Sequence, residues 1–293
     1  EGYSCQLVMD EGISWLKGHV AAKPEQPFFM YLAFHEPHEP IASPAKMVDG
    51  YGDVAENRNQ AEYFANVQNL DAAVGKFLAA LKTLDRDKDT LVVFTSDNGP
   101  ETLKRYKGAQ RSYGSPAPLR GMKLWTTEAG FRVCGIMRWP ARLSAGQTID
   151  HPVSALDFLP TFCDLAGSKP PADLALDGAN FLPALDNKAV AREKPLVWAY
   201  YAAINPQRVA MRDGDWKVLA TLDHGKLRKT NNLSKANINA VRAAVLTDVE
   251  IYKITDDPTE SKNLAAANPE KLAELSKRLK AQYAELLEGS HVW

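Results

Sequence analysis

Apolar residues recur at steps of three and four between Asn57 and Leu84. The repeating positions are Phe64, Val67, Leu70, Val74, Phe77, Leu78 and Leu81. This spacing places them on one face of an amphipathic α-helix. Residues 28–34 and 90–95, on either side of it, are runs in which apolar positions do not alternate with polar ones. Such runs are typical of buried strands, and the strand–helix–strand order predicts a parallel pair with a right-handed crossover.

Both predicted strands are followed by side chains that can act as catalytic groups or metal ligands. The first is followed by His35-Glu36-Pro37-His38-Glu39-Pro40, whose prolines oppose helix and ladder formation. We therefore expect His35 and His38 on a rigid loop. The second strand ends at Asp97-Asn98. If the two strands are neighbours, His38 would face the same pocket as Asp97 and Asn98, at the sheet edge where open α/β folds place their sites.

Asp97 and Asn98 permit two interpretations. They offer a carboxylate and a carboxamide oxygen, which are the ligands that hard cations such as Ca²⁺ and Mg²⁺ prefer. They are also common turn formers, so a strand followed by an Asx turn without any ligand is the alternative.

A long polar loop is predicted from Glu101 to Gly121. Between Glu101 and Lys123 the only acidic residue is Glu101, and the basic residues are Lys104, Arg105, Lys107, Arg111, Arg120 and Lys123. A long loop at this edge of a sheet more often has a function than not. The alternative is a solvated charged loop without a function, which would have the same composition. The apolar residues from Val133 to Trp139 predict another strand, ended by Pro140.

The last third of the chain has a different pattern. Short candidate strands are separated by turn signals at 196–201, 207–212, 216–221 and 250–254. Pro269 then opens a predicted helix over Glu270–Leu287, and a shorter one is predicted over 236–246. The pattern predicts a small antiparallel sheet on which the long helix packs. Tyr200 and Tyr201 could stack on a substrate ring or belong to the core of this sheet.

Composition sets limits on the function. The chain has 293 residues, 45% of them hydrophobic, and a net charge of −1, so no global field favours nucleic acid or a membrane surface. The three cysteines, Cys5, Cys134 and Cys163, lack zinc-ligand spacing and cannot form a full disulfide framework. No apolar stretch of about 20 residues is present, which excludes a membrane-spanning helix. The opening residues suggest a chain cut from something longer.

Several blocks of the sequence, taken in order, resemble the type I sulfatases. The blocks are Phe-Phe-Met-Tyr-Leu-Ala-Phe-His-Glu-Pro-His-Glu-Pro (28–40), Val-Phe-Thr-Ser-Asp-Asn-Gly-Pro-Glu (93–101) and Leu-Arg-Gly-Met-Lys-Leu-Trp-Thr-Thr-Glu-Ala-Gly-Phe-Arg-Val (119–133). Later landmarks are Ser154–Thr161, Arg212–Lys217 and Asp257–Glu260. The resemblance covers nearly the whole chain, and several landmarks in one order are more specific than any single motif.

The resemblance implies an α/β fold of the alkaline-phosphatase superfamily. Residues 1–194 would form part of the catalytic domain, an incomplete, mixed and largely parallel sheet flanked by helices. Residues 195–293 would form the C-terminal α+β subdomain, a small antiparallel sheet plus a helix.

The resemblance also implies roles for individual residues. Asp97 and Asn98 match half of a metal site that usually holds Ca²⁺, with Mg²⁺ as an alternative. His38 matches the histidine that contacts the sulfate ester and protonates the departing alcohol oxygen, for which an imidazole is suited near neutral pH. Lys123 matches the lysine that binds the sulfate and the leaving oxygen.

Four further residues are candidates for supporting roles. Glu128 and Arg132 match a block whose role we expect to be structural, as an internal ion pair. His35 could orient His38 or only fill the loop. Glu36 could tune His38 or contact substrate, but we favour a solvated loop carboxylate.

The sequence departs from the family pattern in two motifs. The family converts the cysteine or serine of C/S-x-P-S-R to formylglycine, its nucleophile, and takes further metal ligands from two consecutive aspartates; neither motif is present. None of the three cysteines has the required context. We therefore expect the C-terminal part of a sulfatase that is inactive alone, with the formylglycine upstream and the missing N-terminal part as its partner.

The expected function is sulfatase action on a sulfate monoester, with sulfated carbohydrate preferred over a simple aryl ester. Substrate choice would be set by loops at 101–118 and around Tyr200–Arg208. By resemblance, the location would be periplasmic, secreted or lysosomal, with neither nucleic acid nor membrane as a partner. The alternatives are a phosphodiesterase or phosphonate hydrolase of the same superfamily, or a non-catalytic sulfatase-like binding protein.

Overall fold

A computed structural model describes residues 2–103, 109–223, 230 and 232–293. Several residues of the predicted polar loop (Lys104, Arg105, Lys107 and Gly108) lie outside this part of the chain. So does His224-Gly225, one of the turn signals between the candidate strands. The helices of the described residues are α1 (Ser4–Ala22), α2 (Ala45–Asp49), α3 (Arg58–Thr83), α4 (Glu128–Phe131), α5 (Phe158–Leu165), α6 (Leu182–Leu185), α7 (Ile238–Ala243) and α8 (Pro269–Gly289). The strands are β1 (Val92–Phe94), β2 (Ile136–Arg138), β3 (Leu196–Ala199), β4 (Gln207–Asp213), β5 (Trp216–Leu222) and β6 (Leu246–Lys253).

The chain divides into two compact units. The N-terminal unit comprises Glu1–Phe94, Glu101–Ser115 and Ile136–Ala145. The C-terminal unit comprises Thr95–Pro100, Pro116–Gly135 and Gly146–Trp293. The domain boundary that the sequence predicts at residue 194 stays a prediction. Among the described residues, no helix is both long and apolar enough to cross a membrane.

Helices α1 and α3 supply the core of the N-terminal unit. Helix α3 begins where Asn57 accepts hydrogen bonds from the backbone N–H groups of Asn59 and Gln60, as an N-cap residue does. Its apolar stripe packs against the buried face of α1, and the buried residues of this cluster are Cys5, Met9, Leu16, Leu70, Ala73, Phe77 and Leu81. The helix that the three-and-four spacing predicts is therefore present.

Residues 28–34 do not form the buried strand that the sequence predicts for them. The segment belongs to neither sheet of the described residues. Phe28, Met30, Leu32 and Phe34 pack on the α1–α3 core, whereas Phe29 and Tyr31 are 70% and 82% exposed. The side chains that pack on this core are therefore those at alternate positions of the segment.

The only strand pair in the described part of the N-terminal unit is antiparallel. Strand β1 pairs with β2, with Val92 opposite Arg138 and Phe94 opposite Ile136. The predicted strand before Pro140 is confirmed, although it is shorter than expected. The parallel pairing of residues 28–34 with the run at 90–95 stays a prediction.

A four-stranded antiparallel sheet organises the C-terminal unit, in the order β3-β4-β5-β6. One face packs against α8, whose inward residues are Leu275, Leu279, Tyr283 and Leu287. Tyr201 belongs to this core, since it is 6% exposed and its hydroxyl accepts a hydrogen bond from that of Tyr283. Tyr201 is therefore a core residue of the sheet, which is one of the two positions that the sequence allowed for it. The sheet and helix predicted for this region are confirmed.

A buried carboxylate fixes the segment that leads into this sheet. Asp157 is fully buried and accepts backbone N–H bonds from Ser154 and Ala179, each 2.8 Å long. Its third partner is Arg192, whose Nη2 lies 2.5 Å from Oδ2. One side chain therefore joins three separate stretches of the C-terminal unit.

Asp157→Ala should destabilise the protein by about 3–5 kcal/mol, because it leaves Arg192, the buried N–H of Ala179 and the half-buried N–H of Ser154 without their acceptor. The measurement is the free energy of unfolding from urea denaturation. Asp164→Ala is the matched control, since Asp164 is an exposed aspartate whose carboxylate accepts a bond from the side chain of Asn180. We expect that control to lose less than about 1 kcal/mol. Equal losses in the two variants would contradict the anchoring role of Asp157.

Candidate functional site

His38 lies in the N-terminal unit, on the loop that follows residues 28–34. Its backbone N–H donates to the carbonyl of His35 over 2.9 Å. Its Nδ1 lies 2.6 Å from the carbonyl oxygen of Glu39. A carbonyl only accepts, so Nδ1 carries a proton and Nε2 is the atom left to exchange one with a ligand. The side chain is exposed.

His35 and Glu36 hold this loop in different ways. The His35 ring lies 5.6 Å from the His38 ring, centroid to centroid, and its carbonyl accepts the His38 N–H. Glu36 is half-buried, and its Oε1 accepts the N–H of Cys5 at the start of α1 over 2.9 Å. This corrects the preference for a solvated Glu36. Burial, and secondarily the Glu36 charge, raises the pKa of the Cys5 thiol to about 11, which keeps it protonated.

Glu39 and Arg111 are loop anchors that the sequence reasoning missed. Glu39 is 6% exposed and accepts the backbone N–H groups of Arg111, at 2.6 Å, and of Ile41, at 3.1 Å. The Arg111 guanidinium donates in turn to the Ile41 carbonyl. A cleft of about 330 Å³ lies beside these residues and is also lined by Pro40, Asn59 and Gln110. Residues 109–111 thus bring part of the predicted substrate loop to the residue that follows His38.

Asp97 and Asn98 lie in the C-terminal unit, on a segment held against α4. The N–H of Gly99 donates to the carbonyl of Gly130 over 3.0 Å. The approach is so close that a Cβ at position 99 would meet the Ala129 carbonyl oxygen at 1.7 Å. Glycine is therefore required here by the neighbouring backbone.

Both interpretations of the Asp-Asn pair find support in this geometry. Asp97 Oδ1 accepts the N–H of Asn98 over 2.9 Å, which is a local turn contact. The Asn98 amide nitrogen donates to the carbonyl of Gly99, so its remaining polar atom is the carboxamide oxygen. Asp97 is exposed, and a local turn does not prevent either oxygen from binding a cation.

The described residues do not by themselves make up a cation site. Asp97 and Asn98 offer two oxygen ligands of the kind that Ca²⁺ takes, but Ca²⁺ needs about six to eight. Within the described stretches, no group of three or more His, Cys, Asp or Glu residues could hold a metal ion. The pair therefore fits as two ligands of a larger set.

Lys123 lies next to the Asp97–Asn98 segment. Its backbone N–H donates to the carbonyl of Pro100 over 2.8 Å. The flanking residues are tied to the sheet, since Arg120 donates to Glu250 and to the hydroxyl of Tyr252, at 3.0 and 2.8 Å. The structure thus brings together three of the four principal predicted residues, Asp97, Asn98 and Lys123. His38 belongs to the other unit.

Glu128 and Arg132 form the predicted ion pair, with 3.5 Å between Oε2 and Nη1. A shorter contact joins Glu128 to Lys217, whose Nζ lies 3.0 Å from Oε1. Lys217 also lies 2.7 Å from Glu260. Burial raises the pKa of the Glu260 carboxyl, and the charge of Lys217 opposes that shift. The sequence reasoning named neither Lys217 nor Glu260 as a partner of Glu128; a lysine within an otherwise apolar strand was the available signal.

Comparison with known proteins identifies the family to which this fold belongs. Residues 1–168 match the model of the sulfatase family, and residues 122–227 match that of the N-sulphoglucosamine sulphohydrolase C-terminal region. The uncharacterized sulfatase YdeN of Escherichia coli is 31% identical over 94% of this chain and 49% of its own length. Human arylsulfatase A is 31% identical over 89% of this chain and 50% of its own. The chain belongs to the sulfatase family.

A solved structure supports the same assignment. The crystal structure of Ps i-CgsB is 28% identical, has a TM-score of 0.74 and covers 95% of this chain and 54% of its own. The α/β sulfatase fold, with its small C-terminal antiparallel sheet and helix, is thereby confirmed. This chain spans about half the length of the relatives that it matches.

Proposed function

We propose that this chain is the C-terminal part of a sulfuric ester hydrolase that releases inorganic sulfate from a sulfate monoester. The carrying observation is the family match over residues 1–168, which includes the segments bearing His38, Asp97, Asn98 and Lys123. Relatives of named activity include a steryl-sulfatase, arylsulfatase A and N-acetylgalactosamine-6-sulfatase. The part of the enzyme represented here would supply acid catalysis and charge, and the upstream part the formylglycine nucleophile.

His38 would act at the leaving group. When the bond between sulfur and the alcohol oxygen breaks, negative charge develops on that oxygen, and a proton from Nε2 of the imidazolium neutralises it. The contact between Nδ1 and the Glu39 carbonyl supports this role, because it engages Nδ1 and leaves Nε2 as the nitrogen that can exchange a proton.

Lys123, Asp97 and Asn98 would act on the sulfate group. The Lys123 ammonium would bind a sulfate oxygen and offset charge on the leaving oxygen. Asp97 and Asn98 would contribute oxygen ligands to a Ca²⁺ ion, or Mg²⁺ as an alternative, together with acidic residues from the upstream part. Such an ion, when bound, polarises a sulfate oxygen as a Lewis acid.

A sulfated carbohydrate is the substrate class that we propose. One structural relative, 27% identical with a TM-score of 0.73, is described in complex with k-i-k-neocarrahexaose. The rat N-acetylgalactosamine-6-sulfatase is 33% identical over 180 residues. The cleft beside Glu39 and Arg111 offers amide and guanidinium groups that could bind sugar hydroxyls. A periplasmic, secreted or lysosomal location would suit such an enzyme.

The test is expression of the full-length gene together with a formylglycine-generating enzyme. Sulfate release should then be measured from aryl and saccharide sulfates, with a phosphodiester and a phosphonate monoester as competing substrates. We expect sulfate release from the full-length protein and none from residues 1–293 alone. A folded protein with formylglycine confirmed by mass spectrometry that releases no sulfate would contradict the proposal. Faster turnover of the phosphorus esters would favour the other hydrolase class.

A further inference from the structure

A buried ion cluster joins α4 to strand β5 of the C-terminal sheet. Lys217 is 0% exposed, Glu128 is 1% exposed and Glu260 is 3% exposed. The Lys217 ammonium lies 3.0 Å from Glu128 and 2.7 Å from Glu260. Arg132, which is exposed, adds a second positive charge 3.5 Å from Glu128. Two carboxylates are thus balanced by two cations, and only Arg132 reaches solvent.

The position of Lys217 in the sheet explains why it points into this cluster. Side chains alternate along β5, so Lys217 shares a face with Leu219, opposite the face that packs on α8. Phe131 and Trp198 cover that second face with their rings stacked, 4.0 Å between centroids. The Lys217 ammonium lies 4.2 Å from the centre of the Phe131 ring. The lysine is therefore enclosed by an aromatic ring and two carboxylates.

The cluster is linked through the backbone to both functional segments. Glu260 Oε2 accepts the N–H of Glu128, the first residue of α4, over 2.8 Å. The carbonyl of Gly130, in the same short helix, accepts the N–H of Gly99, one residue beyond Asn98. The carbonyl of Pro100 accepts the N–H of Lys123. Continuous contacts thus run from Lys217 to the Asp97–Asn98 segment and from there to Lys123.

Stability alone is a weak reason to bury these charges. An apolar cluster of similar volume often stabilises a protein as well as a buried ion pair does, but an ion pair demands one geometry. Here the ion pairs contact α4 at Glu128, and Gly99 packs against the same helix so closely that no Cβ would fit.

We propose that Lys217 is a positioning residue that holds Lys123 and the Asp97–Asn98 segment in fixed relation, through Glu128, Glu260 and α4. The importance of Lys217 for catalysis rests on the proposed function. Its effect on the position of Lys123 and of the Asp97–Asn98 segment does not. Removing its charge should loosen both segments before it loosens the sheet.

The first test is amide hydrogen exchange in the full-length protein carrying Lys217→Met, which keeps the length of the side chain and removes the charge. We expect protection of the Gly99 and Lys123 amides to fall at least tenfold, while that of Ala210 in β4 falls less. Lys253→Met is the matched control, because Lys253 lies in the neighbouring strand and pairs with Asp256 at the surface. It should leave all three amides unchanged. Unchanged protection of Gly99 and Lys123 in folded Lys217→Met, or an equal loss at Ala210, would overturn the proposal.

A second variant keeps the test decisive if Lys217→Met does not fold. Glu128→Gln retains the backbone N–H bonded to Glu260 but removes the charge between Lys217 and Arg132. We expect the same selective loss of protection at Gly99 and Lys123, and its absence would overturn the proposal.

Kinetics provide an independent readout. Lys217→Met, or Glu128→Gln in its place, should lower kcat for sulfate esters at least tenfold, with KM changed less, whereas Lys253→Met should match the unmodified enzyme. Unchanged kcat would overturn the catalytic part of the proposal. If exchange changes as expected but the unmodified protein releases no sulfate, the proposed function fails and the positioning role stands.

Discussion

Replacing His38 with alanine in the full-length enzyme is expected to lower kcat by roughly 10²- to 10⁴-fold, the usual contribution of a general acid. The Nδ1 contact with the Glu39 carbonyl leaves Nε2 as the ring nitrogen that would transfer the proton in the proposed role. Alanine removes that proton donor, while the backbone N–H of position 38 still donates to the His35 carbonyl. The fold should therefore persist, which thermal unfolding would check.

Comparing substrates with different leaving groups tests the role of His38 more specifically. An aryl sulfate with an acidic phenol needs little protonation as it departs, whereas a sugar alcohol needs much. His38→Ala should therefore lose far more activity on a saccharide sulfate than on nitrophenyl sulfate. His19→Ala is the matched control, because the His19 ring also contacts a backbone carbonyl, that of Gln26. Equal losses on the two esters would argue against His38 as the acid, and near-normal rates would refute any catalytic role.

Lys123→Ala should lower kcat about 10²- to 10³-fold, comparable with the removal of one charge-stabilising donor from an active site. The backbone N–H of position 123 would still donate to Pro100, so the segment should keep its place. We accordingly expect a change of less than about 0.5 kcal/mol in the free energy of unfolding. The measurements are steady-state kinetics and urea denaturation.

Two further variants define what Lys123 contributes. Lys123→Arg keeps the charge but replaces a compact ammonium with a planar fork, so we expect partial activity. Lys169→Ala, at an exposed position, should behave as the unmodified enzyme. If Lys123→Ala lost stability and activity together, a structural role would explain the result better than sulfate binding.

The candidate site was predictable where its residues follow one another along the chain. Asp97-Asn98-Gly99 and His35–His38 stand out because short polar motifs end apolar runs. Lys123 has no such local signal, and only the family resemblance singled it out. Glu39 was missed because its partner Arg111 is 72 residues away, and nothing beside Glu39 indicates that its carboxylate will be buried.

Residues 28–34 show where pattern reasoning about the fold fails. An unbroken apolar run indicates burial, but it does not say how many faces will be covered. In the described structure, helices α1 and α3 cover one face of this segment, and Tyr31 on the other is 82% exposed. Burial on the second face depends on which other segments reach it, and that is a tertiary property.

The sequence by itself determined the helices α3 and α8, the four strands of the C-terminal sheet and the family of the protein. These follow from local periodicity, turn residues and the order of motifs, which can all be recognised from residues close together in the sequence. Only the tertiary structure decided that Glu128 pairs with Lys217, 89 residues away. The same is true of the hydrogen bond that the Glu128 N–H donates to the carboxylate of Glu260, 132 residues away. The physical reason is that a buried charge pairs with whichever opposite charge the folded chain brings close to it, and sequence spacing does not indicate which residue that is.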